Sequence, residues 1–331
     1  MSTPSPDGRL LAVAMGGGVR LWDLPARREV AVVPCGSSKC CLFEVGGRAL
    51  LTCSERLGLL RWPIRESGAN PAELSLGPPE SIKAPFAPQG MVGSHDISTL
   101  AIASDVSGGA VVNSKASTPS LVVPHPGCSY VAITPDAKWL ATSGWHSDRV
   151  RLWNAHNGEL AWEQTVFGGQ TRVFFTPDSR QLIVSRGNEF TFLDVNSLQF
   201  NRRLRRDIGL YPGDVAFSPD SKLMAVEMTP GLIHLKDASG ERTIAQLEDP
   251  FADRSAWITF GADGTKLITV SPYSAAIHVW DLRAIRVRLK AMGLDWDWPE
   301  FAPAQESLPS VRLGSLKVEV ISTAAQTPVT P

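Results

Sequence analysis

The sequence predicts an all-β protein: seven repeated units, each a four-stranded antiparallel sheet, closed into one ring. Three observations carry that prediction. Turn signals recur every 40 to 49 residues, and each is followed 16 to 18 residues later by a Trp-Asp-like pair. The 28 Gly and 25 Pro are spread along all 331 residues rather than gathered in linkers. A period of this length is how sheets stacked around a ring read in sequence, and scattered Gly and Pro punctuate short strands.

The units follow in order. The first opens on Ser5-Pro-Asp-Gly8, with Asp7 in the turn, runs through apolar residues 10–14 and ends on Trp22-Asp23. The second (Val45-Gly-Gly47 to Trp62-Pro63) and third (Ser94-His-Asp96 to Val112-Asn113) are weaker copies. The fourth runs from Thr134-Pro-Asp-Ala137, with Asp136, to Trp153-Asn154, and the fifth from Thr176-Pro-Asp-Ser179, with Asp178, to Leu193-Asp194. The sixth joins Ser218-Pro-Asp-Ser221, with Asp220, to Lys236-Asp237, and the seventh joins Gly261-Ala-Asp-Gly264, with Asp263, to Trp280-Asp281. Pro sets φ near about -65° and Asp bonds its own backbone two residues on, so these turns have a structural reading. Trp22, Trp62, Trp153 and Trp280 are expected to wedge between blades, each N–H meeting a polar group. Strands this short cannot bury a face alone, so each sheet must stack on its neighbours.

These residues resemble the WD40 repeat family, which implies a single seven-bladed β-propeller over residues 1–281. The chain departs from that pattern in three ways. The Gly-His pair that usually opens a unit, whose His joins a buried network with Asp, Ser and Trp, is absent from every repeat, so the blades are expected to rely on apolar stacking. Repeats two and three are degenerate, with a Pro-rich connection over 77–89 where disorder is expected. The first unit begins at its turn, leaving no room upstream for an innermost strand. Past Asp281, Leu282, Ile285, Leu289 and Met292 form a helical stripe that Gly293 ends, predicting a short helix over 282–293. A Pro-containing linker (294–314) then leads to alternating residues predicting a strand over 315–322, expected to close the ring by joining the last blade; a disordered tail (323–331) ends the chain. This ending looks like that of WD40 regions in large bacterial proteins, some fused to serine/threonine kinases, which implies a bacterial signalling setting.

Composition narrows the function. A net charge of -1 gives no field that would steer the chain to nucleic acid or an anionic membrane. No stretch approaches about 18 consecutive apolar residues and no secretory leader is evident, so a cytoplasmic protein is expected. The five cysteines (Cys35, Cys40, Cys41, Cys53, Cys128) have no CxxC spacing, so neither a disulfide framework nor a zinc site is indicated. The six histidines show no ligand spacing, and His234 and His278 fall at corresponding strand positions, a structural repetition. No P-loop, nucleophile elbow or dinucleotide fingerprint is present; Gly16-Gly-Gly18 lies between two strand patterns and reads as a hairpin. No catalytic residue, metal or cofactor is therefore assigned. The basic run Asn201-Arg-Arg-Leu-Arg-Arg206 reads as a solvated edge strand.

What remains is recognition. The resemblance implies partner binding over the rim formed by loops between second and third strands and between blades, where aromatic and Arg side chains make good anchors. Trp145, His146, Arg149, Arg186, Tyr211, Phe251 and Tyr273 fall in such loops. The leading expectation is a monomeric, non-catalytic scaffold for a protein or peptide. Two alternatives stand beside it: an enzyme or small-ligand sensor using the central channel, where Glu55, Asp105, Asp148 and Glu189 would meet, and a remnant of a longer kinase-propeller protein.

Overall fold

A computed structural model describes residues 1–67, 70–115, 119–166, 170–207, 209, 211–271, 273–301 and 316–322. The protein is a seven-bladed β-propeller of antiparallel blades. Blade 1 comprises β1 (Ser2–Pro4), β2 (Leu10–Met15), β3 (Gly18–Asp23) and β4 (Arg28–Val33). Blade 2 holds β5 (Ser38–Phe43), β6 (Ala49–Ser54), the long β7 (Gly58–Ser67), the inserted β8 (Asn70–Leu76) and β9 (Glu80–Ile82). Blade 3 is β10 (Gly90–Gly93), β11 (Thr99–Ser104), β12 (Gly108–Asn113) and β13 (Leu121–Val123). Blade 4 is β14 (Tyr130–Ile133), β15 (Trp139–Ser143), β16 (Arg149–Asn154) and β17 (Leu160–Thr165). Blade 5 is β18 (Arg172–Phe175), β19 (Gln181–Ser185), β20 (Glu189–Asp194) and β21 (Gln199–Arg205). Blade 6 is β22 (Val215–Phe217), β23 (Leu223–Thr229), β24 (Leu232–Asp237) and β25 (Thr243–Glu248). Blade 7 shows three strands among the described residues, β26 (Trp257–Phe260), β27 (Lys266–Val270) and β28 (Ile277–Asp281), and the chain leaves it as helix α1 (Leu282–Ala291).

The core lies between blades, as strands with two apolar faces require. Leu11 and Val13 of blade 1 pack with Ile268 and Val270 of blade 7, and this contact closes the ring. The turn carboxylates fasten their own loops: Asp7, Asp136, Asp178, Asp220 and Asp263 each accept a bond from the backbone N–H two residues on. In the closing pairs Asp23, Asn154, Asp194 and Asp237 accept backbone N–H groups of the next turn, and Asp281 caps α1 by accepting from Ala284 N at 2.8 Å.

Several expectations need correction. Residues Ser2–Pro4 do form an innermost strand for blade 1, pairing with β2 from Ser2↔Val13 to Pro4↔Leu11. The connection over 77–89 is structured: β9 within it is the outer strand of blade 2, paired with β7. The C-terminal strand β29 (Lys317–Val320) does not join the last blade. It runs parallel to β8 on the outside of blade 2, and Leu316 ahead of it is buried against blade 1, its N–H donating to Asp23 and its carbonyl accepting from Arg28 at 2.8 Å. Alternation foretells a strand but not its partner, and the inserted hairpin of β7 and β8 supplies the edge that β29 takes. The helical stripe is shorter than expected: Leu282 is buried, but Met292 is exposed and the second buried residue is Arg286, paired with Asp295 at 3.0 Å. Cys40 and Cys53, register partners on β5 and β6 with Cα atoms 5.8 Å apart, form a disulfide that their spacing along the chain does not reveal. Such bonds are uncommon in the cytosol, which sets this pair against the cytoplasmic expectation. The linker over 302–314 and the tail 323–331 lie outside the described residues. No described helix is long and apolar enough to cross a membrane.

The blade-hydrogen-bond network is also present after all, without a Gly-His pair. Trp153 N–H donates to Thr142 Oγ1 at 2.9 Å, Thr142 meets His125 Nδ1 at 2.6 Å, and His125 Nε2 meets Ser147 Oγ at 2.8 Å. This order of donors assigns the neutral, Nε2-protonated tautomer, and burial together with nearby Arg151 holds the imidazole pKa down at about 4. Blade 2 repeats half of it, with Trp62 donating to Thr52 Oγ1 at 3.1 Å. Trp280 N–H has no such partner, and its blade shows three strands among the described residues.

Candidate functional site

Strand register makes the blades comparable position by position. Where the chain leaves one blade for the next, a single equivalent place is filled by Cys35, Ala84, His125, Val166, Arg206 and Asp249. At the first four the group is apolar or neutral. At the entrances to blades 6 and 7 it is charged. A second equivalent place, on the second strand, carries Ala14, Cys53, Ala103, Ser143, Ser185 and Val270, but Glu227 in blade 6. Ser143 and Ser185 use their hydroxyls to donate to the next blade's Thr171 and Gly213 carbonyls; an ionised carboxylate cannot donate.

These substitutions meet. The Arg206 side chain, 2% exposed, donates from Nε to Glu227 O at 3.0 Å and from Nη1 to the carbonyls of Arg186, Gly187 and Tyr211 at 3.1, 3.0 and 2.7 Å. Gly209 and Gly213 make room for it: a Cβ on either would stand 2.6 and 2.8 Å from guanidinium atoms. Glu227, also 2% exposed, faces Arg206 Nη2 at 3.7 Å and accepts from Asp214 N at 3.3 Å through Oε2, while Oε1 has no hydrogen-bond partner. Burial outweighs the Arg206 charge and lifts the Glu227 carboxyl to about 7. One blade further, Asp249 holds His278 Nδ1 at 3.1 Å, and His278 Nε2 is likewise buried without a partner.

Arg206, Glu227 and His278 line a cavity of about 1100 Å³ on the rim over blades 6 and 7. Its walls come from the connections between blades (Arg206, Asp207, Gly209, Tyr211, Phe251 to Arg254) and from loops between second and third strands (Thr229, Pro230, Tyr273, Ser274). Phe251 is 86% and Tyr273 67% exposed. Tyr211 is sandwiched, with Trp145 stacked on it at 5.5 Å between centroids and the Arg254 guanidinium 4.4 Å from its ring centre.

Of the anchors proposed from sequence, Trp145, Tyr211, Phe251 and Tyr273 thus come together around this rim. Arg149 is occupied by Asp148 and Glu163 on blade 4, and Arg186 by Glu189 at 3.3 Å. His146 is exposed beside Trp145. The four carboxylates weighed for the channel mouth are each tied locally: Glu55 to Lys39, Asp105 to Ser129, Asp148 to Arg149, Glu189 to Arg186 and Arg203. The axis side of blades 4 to 7 is spanned instead by Arg172, which pairs with Asp214 at 3.1 Å, donates to Ala256 O at 3.1 Å and lies over Tyr130 and Phe174. No group of three or more His, Cys, Asp or Glu stands in a metal-binding arrangement among the described residues. Sequence reading missed Arg206, Glu227, Asp249 and Arg254. Arg206 was hidden in a basic run whose Arg203 and Arg205 are exposed, whereas it is buried itself and Arg202 lies half-buried over Phe192. Glu227 had one visible signal: a lone acid inside an apolar strand.

Comparison with known proteins agrees on the fold. No protein-family model matches the chain, and no curated protein sequence matches it. The solved structure of Kuenenia stuttgartiensis hydrazine synthase superposes with a TM-score of 0.65 at 15% identity, over 85% of this chain and 94% of that one. The Myceliophteria thermophila Cps50 (Swd1) β-propeller domain does so with a TM-score of 0.64, also at 15% identity, over 85% and 96%. At this identity the likeness shows the propeller fold alone.

Proposed function

We propose that this chain is a WD40-type propeller that acts as a non-catalytic scaffold, holding a protein or peptide partner on the rim above blades 4 to 7. The observation that carries the reading is the pair of exposed aromatics, Phe251 and Tyr273, flanking a cavity that the buried side chains of Arg206 and Glu227 also line. Aromatic anchors beside a preformed pocket are the arrangement in which a few residues supply most of the binding energy. The Trp153, Thr142, His125 and Ser147 network supports the WD40 assignment, because it fastens blade 4 through a buried Trp and His as in that family, although no Asp takes part. The bacterial signalling setting and the monomeric state belong to the same reading and rest on the resemblance.

The test is capture from host lysate with three baits: the wild type, a Phe251→Ala, Tyr273→Ala variant, and a Lys138→Ala, Lys222→Ala control on the turns of the opposite rim. A partner retained by wild type and control and lost with the aromatic variant supports the reading. A partner held equally by all three places binding elsewhere and overturns it.

A further inference from the structure

The cavity over blades 6 and 7 has the wrong chemistry for a purely apolar anchor site. Six blade entrances follow one rule of register, and only two carry charge: Arg206, which lines the cavity, and Asp249, which holds the lining His278. Burying ions where the other blades use apolar or neutral groups costs stability. Two atoms remain unmatched, Glu227 Oε1 and His278 Nε2. His278 turns Nδ1 to Asp249, which leaves Nε2 as its nitrogen without a partner, and an ionised Glu227 carboxylate can only accept. Arg206 offers no donor to an anion in exchange, since Nε and Nη1 are spent on carbonyls and Nη2 faces Glu227. Three carboxyl groups, of Asp207, Glu227 and Asp253, line the space against the two guanidinium groups of Arg206 and Arg254. Phe251 and Tyr273 at its edge add aromatic faces that favour a cation.

We infer that this cavity receives a basic side chain, lysine or arginine, of the partner peptide, with its N–H groups directed to Glu227 and His278 and its aliphatic stem against Phe251 and Tyr273. The inference rests on the scaffold reading and specifies what that scaffold recognises. The charged groups facing Glu227 are Arg206 from the blade 5 connection, Asp214 ahead of β22, and Arg254 from the connection to blade 7. Because burial holds the Glu227 carboxyl at about 7, a cation competes with its proton, and affinity should fall about tenfold from pH 8 to pH 6.

The experiment is titration of the full chain, followed by amide NMR and calorimetry, with acetyl-Gly-Lys-Gly-amide, acetyl-Gly-Arg-Gly-amide, the isosteric acetyl-Gly-norleucine-Gly-amide, and n-butylammonium. Binding of the Lys or Arg peptide, at least tenfold tighter than norleucine, perturbing Gly209 and Thr229 and weakened tenfold or more by Glu227→Gln, is the expected result. Glu227→Gln is checked for an unchanged amide spectrum elsewhere, and His278→Gln provides a second variant should it misfold. Equal binding of norleucine, undiminished binding by both variants, or no binding of either cationic peptide overturns the inference. Butylammonium binding as tightly as the peptides overturns the peptide source in favour of a small amine. Lysate capture that still depends on Phe251 and Tyr273 but is unchanged by Glu227→Gln would sink this inference alone and leave the scaffold standing.

Discussion

Replacing Glu227 by Gln tests how the buried pair is held, through the pH dependence of stability. The Glu227 carboxyl stands at about 7 in the folded chain against an ordinary 4.5, because burial disfavours its charge more than Arg206 favours it. A raised carboxyl contributes stability that is fully present below pH 4.5 and is lost as pH rises through 7. At 1.36 kcal/mol per unit the loss is about 3 kcal/mol across that window. Glu227 is nearly fully buried, so solvent screening does not discount it. His125, held at about 4, and the Met1 amine, held at about 5, oppose this slope: their contributions are lost as pH falls below 6.5 and below 8. The difference between Glu227→Gln and wild type cancels both and isolates Glu227. Urea unfolding at half-unit steps from pH 4.5 to 8 should show the variant gaining about 3 kcal/mol relative to wild type, on top of a constant offset from the altered Arg206 contact. A difference that stays level with pH would refute the assignment of a buried, proton-holding carboxylate.

Other perturbations address the rest of the fold. Thr142→Val leaves the Trp153 N–H and His125 Nδ1 unmatched in the interior of blade 4 and should cost about 2 to 4 kcal/mol in urea unfolding, a loss that Thr142→Ser largely restores. Leu316→Ala should destabilise by about 2 to 3 kcal/mol, since Leu316 is buried between blades 1 and 2; the variant should still form the ring, read as native-like near-UV circular dichroism. The denatured chain should titrate three thiols without reductant (Cys35, Cys41, Cys128) and five with it, and breaking the Cys40–Cys53 bond, which spans 13 residues, should lower stability by about 3 kcal/mol.

Much of the architecture was legible because it is local and periodic. The Pro-Asp turns and their closing pairs are set by short-range chemistry, so the seven units, the helix start at Leu282 and the strand at Lys317 could be read from spacing. What could not be read depends on which chain segments meet across the ring. β1 is only three residues long and gains its identity from pairing with β2. β29 finds its partner on a hairpin inserted some 240 positions earlier in the chain. His125 sits between two prolines, without the Gly that would have flagged it, and is recognised only by its place beside Thr142 and Trp153. The rim aromatics were visible as loop residues, but Arg206 and Asp249 became significant only when register showed them to be the charged members of an otherwise apolar or neutral series.

The central claim is that the rim above blades 4 to 7 is where a partner sits, and photocrosslinking in host cells addresses it most directly. A p-benzoylphenylalanine placed at Phe251 should give a discrete adduct of higher mass, while the same group at Lys222 on the opposite rim should give none. Adducts at Lys222 with none at Phe251 would contradict the account and move the partner to the other face of the ring.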